Sequence, residues 1–370
     1  MTRTQDPVGP CTAGSGPAEP EVSGSAASGP ATGAREWLEL ARDRWHPALR
    51  GAVDRLDPHM RQVAGYHFGW LDADGRPSDG AAGKGLRPGL ALLVADALTG
   101  APRDAVAGAV ALELVHNFSL VHDDLIDRDQ ARHHRPTVWT VWDDTTAVLV
   151  GDAMLAIALE ELALSGSPYA VAASVALLAA TRELIRGQAE DVLFESRAEV
   201  SVEECLGMVA GKTGSLLAVS ASMGAILTGA DDETVAAFHT FGAELGLAFQ
   251  IVDDLLGIWG TSEVTGKPVY ADLAAAKKTL PVVYTLASEG EAGAGLREWF
   301  ATRTARDAAD PDDLTQAATL IEKAGGRSWA ADQAAAHVRT ALAALEPVAL
   351  ADAQRERLIE LAHFVTRRSA

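Results

Sequence analysis

Cysteine is nearly absent: Cys11 and Cys205 are the only two among 370 residues. That excludes a disulfide framework and a cysteine-built zinc site, and makes a reducing cytoplasm the expected location. Aromatic side chains make up only 5% of the chain. Strict apolar/polar alternation is missing over any useful length, as is a repeat of fixed period, so neither a sheet-rich fold nor a solenoid is expected. Basic residues are outnumbered, 31 Lys and Arg against 51 Asp and Glu, for a formal net charge of −20. Such a field repels a phosphate backbone and excludes non-specific nucleic-acid binding. No uninterrupted apolar run reaches the roughly 18 residues of a bilayer crossing; Asp152 and Glu160 interrupt the candidate at 145–164, so no transmembrane segment is expected. Residues 1–34 lack the basic start and apolar centre of a signal peptide. They are rich in Gly, Ser, Pro and Ala and are expected to form a disordered tail.

What is present is Ala and Leu, in long stretches free of Pro, within a hydrophobic content of 48%. Such usage favours helices, and an all-α fold follows. Nothing marks an internal boundary, so residues 35–370 are read as one domain. Helical spacing covers 36–67, with a start or break at Pro47, then 90–98, 105–127, 145–164, 169–194, 202–228 and 232–258. Further helices are expected over 282–303, 314–324, 328–345 and 351–368.

Two of these helices end in carboxylates. Asp123, Asp124 and Asp127 close the apolar stretch that begins near residue 105, and Asp253 and Asp254 close the one after Phe249-Gln250-Ile251-Val252. Residues four apart share a helix face, so Asp123 and Asp127 project together and repel each other unless something positive neutralises them. Oxygen-only donors favour Mg²⁺ over zinc. His122, His133 and His134 offer no tetrahedral zinc set. Lys84, Arg87, Arg132, Lys212 and Lys278 lie at helix ends or loops, where cations can converge on phosphate oxygens. Carboxylates cannot hold phosphate directly. Acidic helix ends beside basic loops therefore suggest a diphosphate gripped by Mg²⁺ on one side and by Lys and Arg on the other. With apolar helices between them, the fitting substrate is a lipid diphosphate whose departure leaves an allylic carbocation.

At this level of detail the sequence resembles the trans-isoprenyl diphosphate synthases, in particular bacterial geranylgeranyl and farnesyl diphosphate synthases. The matching pieces are Gly83-Lys84-Gly85-Leu86-Arg87-Pro88, Asp123-Asp124-Leu125-Ile126-Asp127, residues 132–137, Gly187-Gln188 and Lys212-Thr213. To these are added 249–254 and the loop from Lys267 through Lys278-Thr279-Leu280-Pro281. The resemblance implies the isoprenoid synthase fold, a helical bundle around a central apolar cavity, and a homodimer. It implies three Mg²⁺ ions, two on Asp123 and Asp127 and one on Asp253, with Asp124 and Asp254 in support. Arg132, Lys212 and Lys278 would hold the allylic diphosphate, with Thr213, Gln250, Lys267, Gln188 and Asp191 around it. Lys84, Arg87 and His116 would hold the diphosphate of isopentenyl diphosphate.

Two positions depart from the pattern. His133 stands where the family has a second Arg, which contacts isopentenyl diphosphate; imidazole is shorter and at most partly charged at neutral pH. Gly257 stands where the second acidic motif has its last aspartate. Product length is read from Phe118 and Ser119, five and four residues before Asp123: an aromatic followed by a small residue resembles enzymes making twenty-carbon products, and a fifteen-carbon product is the neighbouring outcome. A terpene cyclase or prenyl diphosphate hydrolase on the same scaffold, and a regulatory subunit without activity, are the rival readings.

Overall fold

Helices carry almost all of the regular structure of the chain, whose computed structural model describes residues 30–366 apart from 79, 81–82, 84, 134, 198, 263–267 and 303–309. The expected tail therefore lies largely outside the described residues. The first helix, α1 (Pro30–Val53), begins inside the stretch assigned to it. It also runs through Pro47 without ending, and α2 (Pro58–His67) follows, capped by the Asp57 carboxylate.

The centre is built from α3 (Leu86–Thr99), α4 (Val106–Ile126), α9 (Ser215–Leu227) and α10 (Asp232–Trp259). Their mutual faces are continuous apolar surface: Leu90 to Ala95 on α3, Leu112 and Leu114 on α4, and Phe238, Phe241 and Leu245 on α10 have no accessible area. Buried hydroxyls on α9 are satisfied locally, Ser220 and Ser222 donating to the carbonyls of Leu216 and Ala218. Around this centre lie α6 (Asp144–Leu164) and α7 (Ala170–Ser196) on one side, and α15 (Gly326–Ala344), counted below, against α10 on the other.

Three departures from the expected helices concern the site. First, the stretch 202–228 is α8 (Val202–Val209), a π-helical turn at Ala210–Gly214, and then α9. Second, a two-stranded hairpin, β1 (Ala131–Arg132) paired with β2 (Arg135–Pro136), follows α4 and leads into the short α5 (Val138–Val141). Third, α11 (Ala271–Ala274) precedes α12 (Leu280–Ala287), and the expected helix 282–303 is split into α12 and α13 (Glu291–Ala301) at Ser288-Glu289-Gly290. The chain ends with α14 (Pro311–Lys323), α15 and α16 (Asp352–Thr366).

Among the described residues, the segments long and apolar enough to cross a bilayer are not the stretch at 145–164 but Pro102–Ile126 and Asp232–Trp259. Both belong to the central layer, and two thirds of the first window is buried against other helices. The composition of the first follows from being wrapped by protein on most sides; of the second window, 44% is buried.

Candidate active site

α4 terminates in a Schellman arrangement: the N–H of Asp129 reaches the carbonyl of Asp124 at 2.9 Å, and that of Arg128 reaches Leu125 at 3.4 Å. Arg128 takes the left-handed conformation there, with φ 59°. This costs a non-glycine residue on the order of 1 kcal/mol. The turn fixes Asp123, Asp124 and Asp127 at the helix end and sends the chain into the hairpin. Thr137 Oγ1 donates to Asp129 O at 2.7 Å and closes the excursion.

Each of the three aspartates meets a cation. Arg132 Nε donates to Asp124 Oδ1 at 2.7 Å, and its Nη2 lies 3.8 Å from Asp123 Oδ2. Lys212 Nζ reaches Asp123 Oδ1 at 3.2 Å and Asp191 Oδ2 at 2.6 Å. Lys277 Nζ lies 3.9 Å from Asp127 Oδ2. Burial pushes the Asp124 carboxyl up to about 6 against the pull of Arg132. Burial and the neighbouring Asp123 raise Asp127 as well. For Lys212, burial opposes the charge, but Asp123 and Asp191 outweigh it and hold the ammonium above its ordinary pKa. The π turn presents this lysine. It adds a residue to the helical path, and Gly187 on α7 lets it approach, since a methyl at 187 would collide with the Lys212 backbone nitrogen.

The opposite wall is the end of α10. Asp254 is buried and committed to the fold: its Oδ1 accepts from Gln250 Nε2 at 2.9 Å and its Oδ2 from the Leu280 N–H at 3.0 Å. Burial raises its pKa to about 7 in spite of both bonds. Gln250 Oε1 accepts from Thr213 Oγ1 at 2.8 Å, which ties the π turn to α10. Asp253 is half-buried and lines the same cavity as Asp123 and Asp127, a space of about 1810 Å³.

A third group lies deeper along α4. Arg87 Nη1 is 3.2 Å from His116 Nε2. A guanidinium can only donate, so that nitrogen accepts and the imidazole is neutral. Burial and then Arg87 hold the His116 pKa well below its ordinary value. Below it runs a chain not foreseen from sequence: His67 Nε2 meets Asn117 Oδ1 at 3.0 Å, and Asn117 Nδ2 donates to Glu113 Oε1 at 3.1 Å. Burial, then Arg132, lowers the His67 pKa to about 4. On the hairpin, Arg135 donates to the carbonyls of Tyr66 and Leu71 at 3.0 and 2.9 Å, while His133 occupies the turn with φ 51°.

Phe118 is buried on α4, edge-on to His122 at 5.5 Å between ring centroids, and Ser119 Oγ donates to His116 O at 2.7 Å. Both line the cavity, as do Gln188 and Asp191 from α7. Lys84, Lys267 and His134 lie outside the described residues. Lys278 also borders the cavity, but its Nζ donates to Phe194 O at 2.8 Å and to Arg197 O, at the end of α7. Its neighbour Lys277 is the one that turns toward an aspartate. Sequence reasoning missed Lys277; the signal available was only its membership in a lysine pair.

Among the described residues no three carboxylate, imidazole or thiol side chains converge on one point. The carboxylates that are present suit Mg²⁺, which keeps several waters and needs one or two carboxylates beside substrate phosphates. The donor set is carboxylate oxygen, and protein ammonium and guanidinium groups stand against it at 2.7 to 3.9 Å. Asp123 and Asp127 on one wall and Asp253 on the other are the residues that could hold such ions.

The Polyprenyl synthetase family profile matches residues 76–320. The chain belongs to the polyprenyl synthetase family. It is accordingly a prenyltransferase with the all-α fold of that family. A (2E,6E)-farnesyl diphosphate synthase of Mycobacterium tuberculosis is 50% identical over 333 residues, covering 90% of this chain and 93% of the relative. A geranylgeranyl diphosphate synthase of the same organism is 43% identical over 341 residues, 92% of this chain and 95% of the relative. Among solved structures, a polyprenyl synthetase from Streptomyces coelicolor superposes with a TM-score of 0.86 at 50% identity, over 89% of this chain and 98% of that one.

Proposed function

We propose that this polyprenyl synthetase is a short-chain trans-prenyltransferase that joins isopentenyl diphosphate to an allylic diphosphate and makes geranylgeranyl diphosphate. The observation that carries the reading is the meeting, around one largely apolar cavity, of two carboxylate-bearing helix ends with Arg132, Lys212 and Lys277. Mg²⁺ ions on Asp123, Asp127 and Asp253, three in all, would supply neutralisation of the charge that develops on the departing diphosphate. Arg132 and Lys212 stand at the same carboxylates and would hold the phosphate oxygens of the allylic diphosphate. Thr213 and Gln250 fix the turn that carries Lys212. Lys84, Arg87 and His116 bind the second diphosphate, with His133 taking the family's arginine position. The alkene of isopentenyl diphosphate attacks the allylic carbon, and the released diphosphate is the acceptor of the proton then lost.

For product length, Phe118 with the small Ser119 supports twenty carbons. The farnesyl product is the second reading, favoured by the 50% identity to a farnesyl diphosphate synthase against 43% to a geranylgeranyl one. A homodimer is supported by apolar residues left exposed on α6 and α7: Leu149, Val171, Val175 and Leu178. A cytoplasmic location is supported by the scarcity of cysteine and by Cys205 being a buried free thiol.

The test is incubation of purified protein with Mg²⁺, isopentenyl diphosphate and, in turn, dimethylallyl, geranyl and farnesyl diphosphate, with products separated by chain length. Geranylgeranyl diphosphate is expected. Product stopping at farnesyl diphosphate would overturn the assigned length alone. Hydrocarbon or alcohol formed without isopentenyl diphosphate, or no turnover by folded protein, would overturn the reaction.

A further inference from the structure

The orientation of Asn117 is fixed by the residue one helical turn before it. Its side chain meets the backbone carbonyl of Glu113 at 2.8 Å, and a carbonyl can only accept, so the atom there is the amide nitrogen. Oδ1 therefore faces His67 Nε2, and as an acceptor it requires the hydrogen to sit on Nε2. In the neutral imidazole Nδ1 then carries the lone pair. Nδ1 meets no polar group among the described residues, and the partly buried ring borders the cavity. One nitrogen of His67 is committed to the fold, and the other is left for whatever enters.

The surroundings are cationic. Arg132, His133 and Arg135 of the hairpin all act electrostatically on His67, and His67 in turn acts on His116, the partner of Arg87. On α4, Glu113 lies beyond Asn117 and is itself within the field of Arg87. Arg135 joins the hairpin to α2, its guanidinium 4.4 Å from the centre of the Tyr66 ring and bonded to the Tyr66 carbonyl. His67 is the last residue of α2, where the helix dipole favours a cation. Burial and the nearby cations keep the imidazole neutral. A diphosphate among them reverses that balance, because its charge offsets the arginines and its oxygens accept a hydrogen bond from protonated Nδ1.

We propose that His67 is a further substrate-binding residue, which takes a proton from solvent as isopentenyl diphosphate binds and donates from Nδ1 to its diphosphate. The inference rests on the reading that Arg87 and His116 hold that diphosphate. The hairpin carries His133 where the family has a second arginine, and His67 supplies positive charge to the same diphosphate from α2, only while substrate is bound. Asn117 and Glu113 act as positioning residues that hold the ring by Nε2 and keep Nδ1 for the substrate.

The test is calorimetric titration of isopentenyl diphosphate into full-length protein holding Mg²⁺ and geranyl thiolodiphosphate, whose carbon–sulfur bond ionises too slowly to react. Repetition in buffers of different ionisation enthalpy counts the protons taken up. His67→Gln keeps a donor for Asn117 and removes the titrating nitrogen. At a pH of about 7.5 it is expected to lower proton uptake by about half a proton or more per chain and to weaken isopentenyl diphosphate binding about tenfold, with little change in the unfolding midpoint. The bound state holds the extra proton, so the wild-type advantage in affinity should grow as pH falls from about 8.5 to about 6.5. An equal proton count in the two proteins, or an affinity ratio that does not move with pH, overturns the proposal; a His67 that only supports the fold gives that result with a lowered unfolding midpoint. If His67→Gln folds poorly, ¹³C-labelled histidine rings in a His133→Asn chain carry the test by nuclear magnetic resonance. One imidazole is then expected to pass from neutral to protonated as isopentenyl diphosphate is added, and none doing so overturns the proposal. Arg87→Gln separates the two levels: loss of binding there with none in His67→Gln overturns only this proposal, whereas a wild-type chain that does not bind isopentenyl diphosphate overturns the underlying reading too.

Discussion

Lys277 and Lys278 are adjacent in sequence and have different environments. Lys277 stands over Asp127, its charge held up against burial by Asp127 and Asp272, while burial and then Arg197 depress Lys278, which binds two carbonyls at the end of α7. Lys277→Ala is expected to lower kcat/KM for the allylic diphosphate by about 10- to 100-fold, the worth of a charge-assisted hydrogen bond of about 1.5–3 kcal/mol. Lys278→Ala should act first on the unfolding midpoint, with the smaller kinetic loss. Steady-state kinetics beside thermal melts check the contrast, and equal kinetic losses would sink it. The sequence points to a basic loop here and cannot say which lysine faces the site. That choice depends on left-handed backbone at Tyr270 and Ala276, with φ 65° and 52°, where neither residue type announces the conformation. The aspartates were legible because like charges at helical spacing on an apolar stretch are costly and therefore informative.

At the scale of elements, the helices were readable from apolar spacing and turn residues, and α4, α6, α7 and α10 fall close to their expected bounds. The π turn at Ala210–Gly214 was not readable, because α9 after it is buried on almost every side and has no apolar stripe whose phase could register the extra residue. The hairpin strands are two residues long, below any alternation signal. Pro47 misled for the opposite reason: proline lowers helix propensity, but the apolar face of Ala41, Trp45, Leu49 and Ala52 on both sides of it is buried and carries α1 through. The close approach of α7 to the π turn yields a direct expectation. Gly187→Ala forces the turn away from α7 and should destabilise the fold by about 1–3 kcal/mol, as overpacking does. Activity should fall further than stability alone explains, because Lys212 moves with the turn. Denaturant unfolding and kcat on the folded fraction measure the two effects; a variant with normal Lys212-dependent kinetics would contradict it.

For the whole molecule, an ordered series of motifs spread from residue 83 to residue 281 made family and fold legible before any coordinate was known. The proposed homodimer was legible only through resemblance, and the surface offers it support. Val171, Val175 and Leu178 follow one another at helical spacing along the first half of α7, outside the cavity, and are exposed, Val171 by 77%. Such a stripe is what the proposed homodimer would cover. Sedimentation should give about twice the 38.6 kDa chain mass, and Val175→Arg with Leu178→Arg should shift the population toward monomer. A wild-type protein sedimenting as a monomer would remove the proposed interface.

The end of α4 sets the evolutionary terms on which this chain can be improved. Asp123, Asp124 and Asp127 sit at the negative pole of their helix, mutually repelling, behind an arginine in left-handed backbone. Neutralising any of them would ease that local conflict. Selection for a hardier protein and selection for a faster one therefore pull on the same few atoms in opposite directions. A thermostable descendant that stays active must gain its stability elsewhere, in α1, α14 or α16, and leave this helix end as uncomfortable as it is.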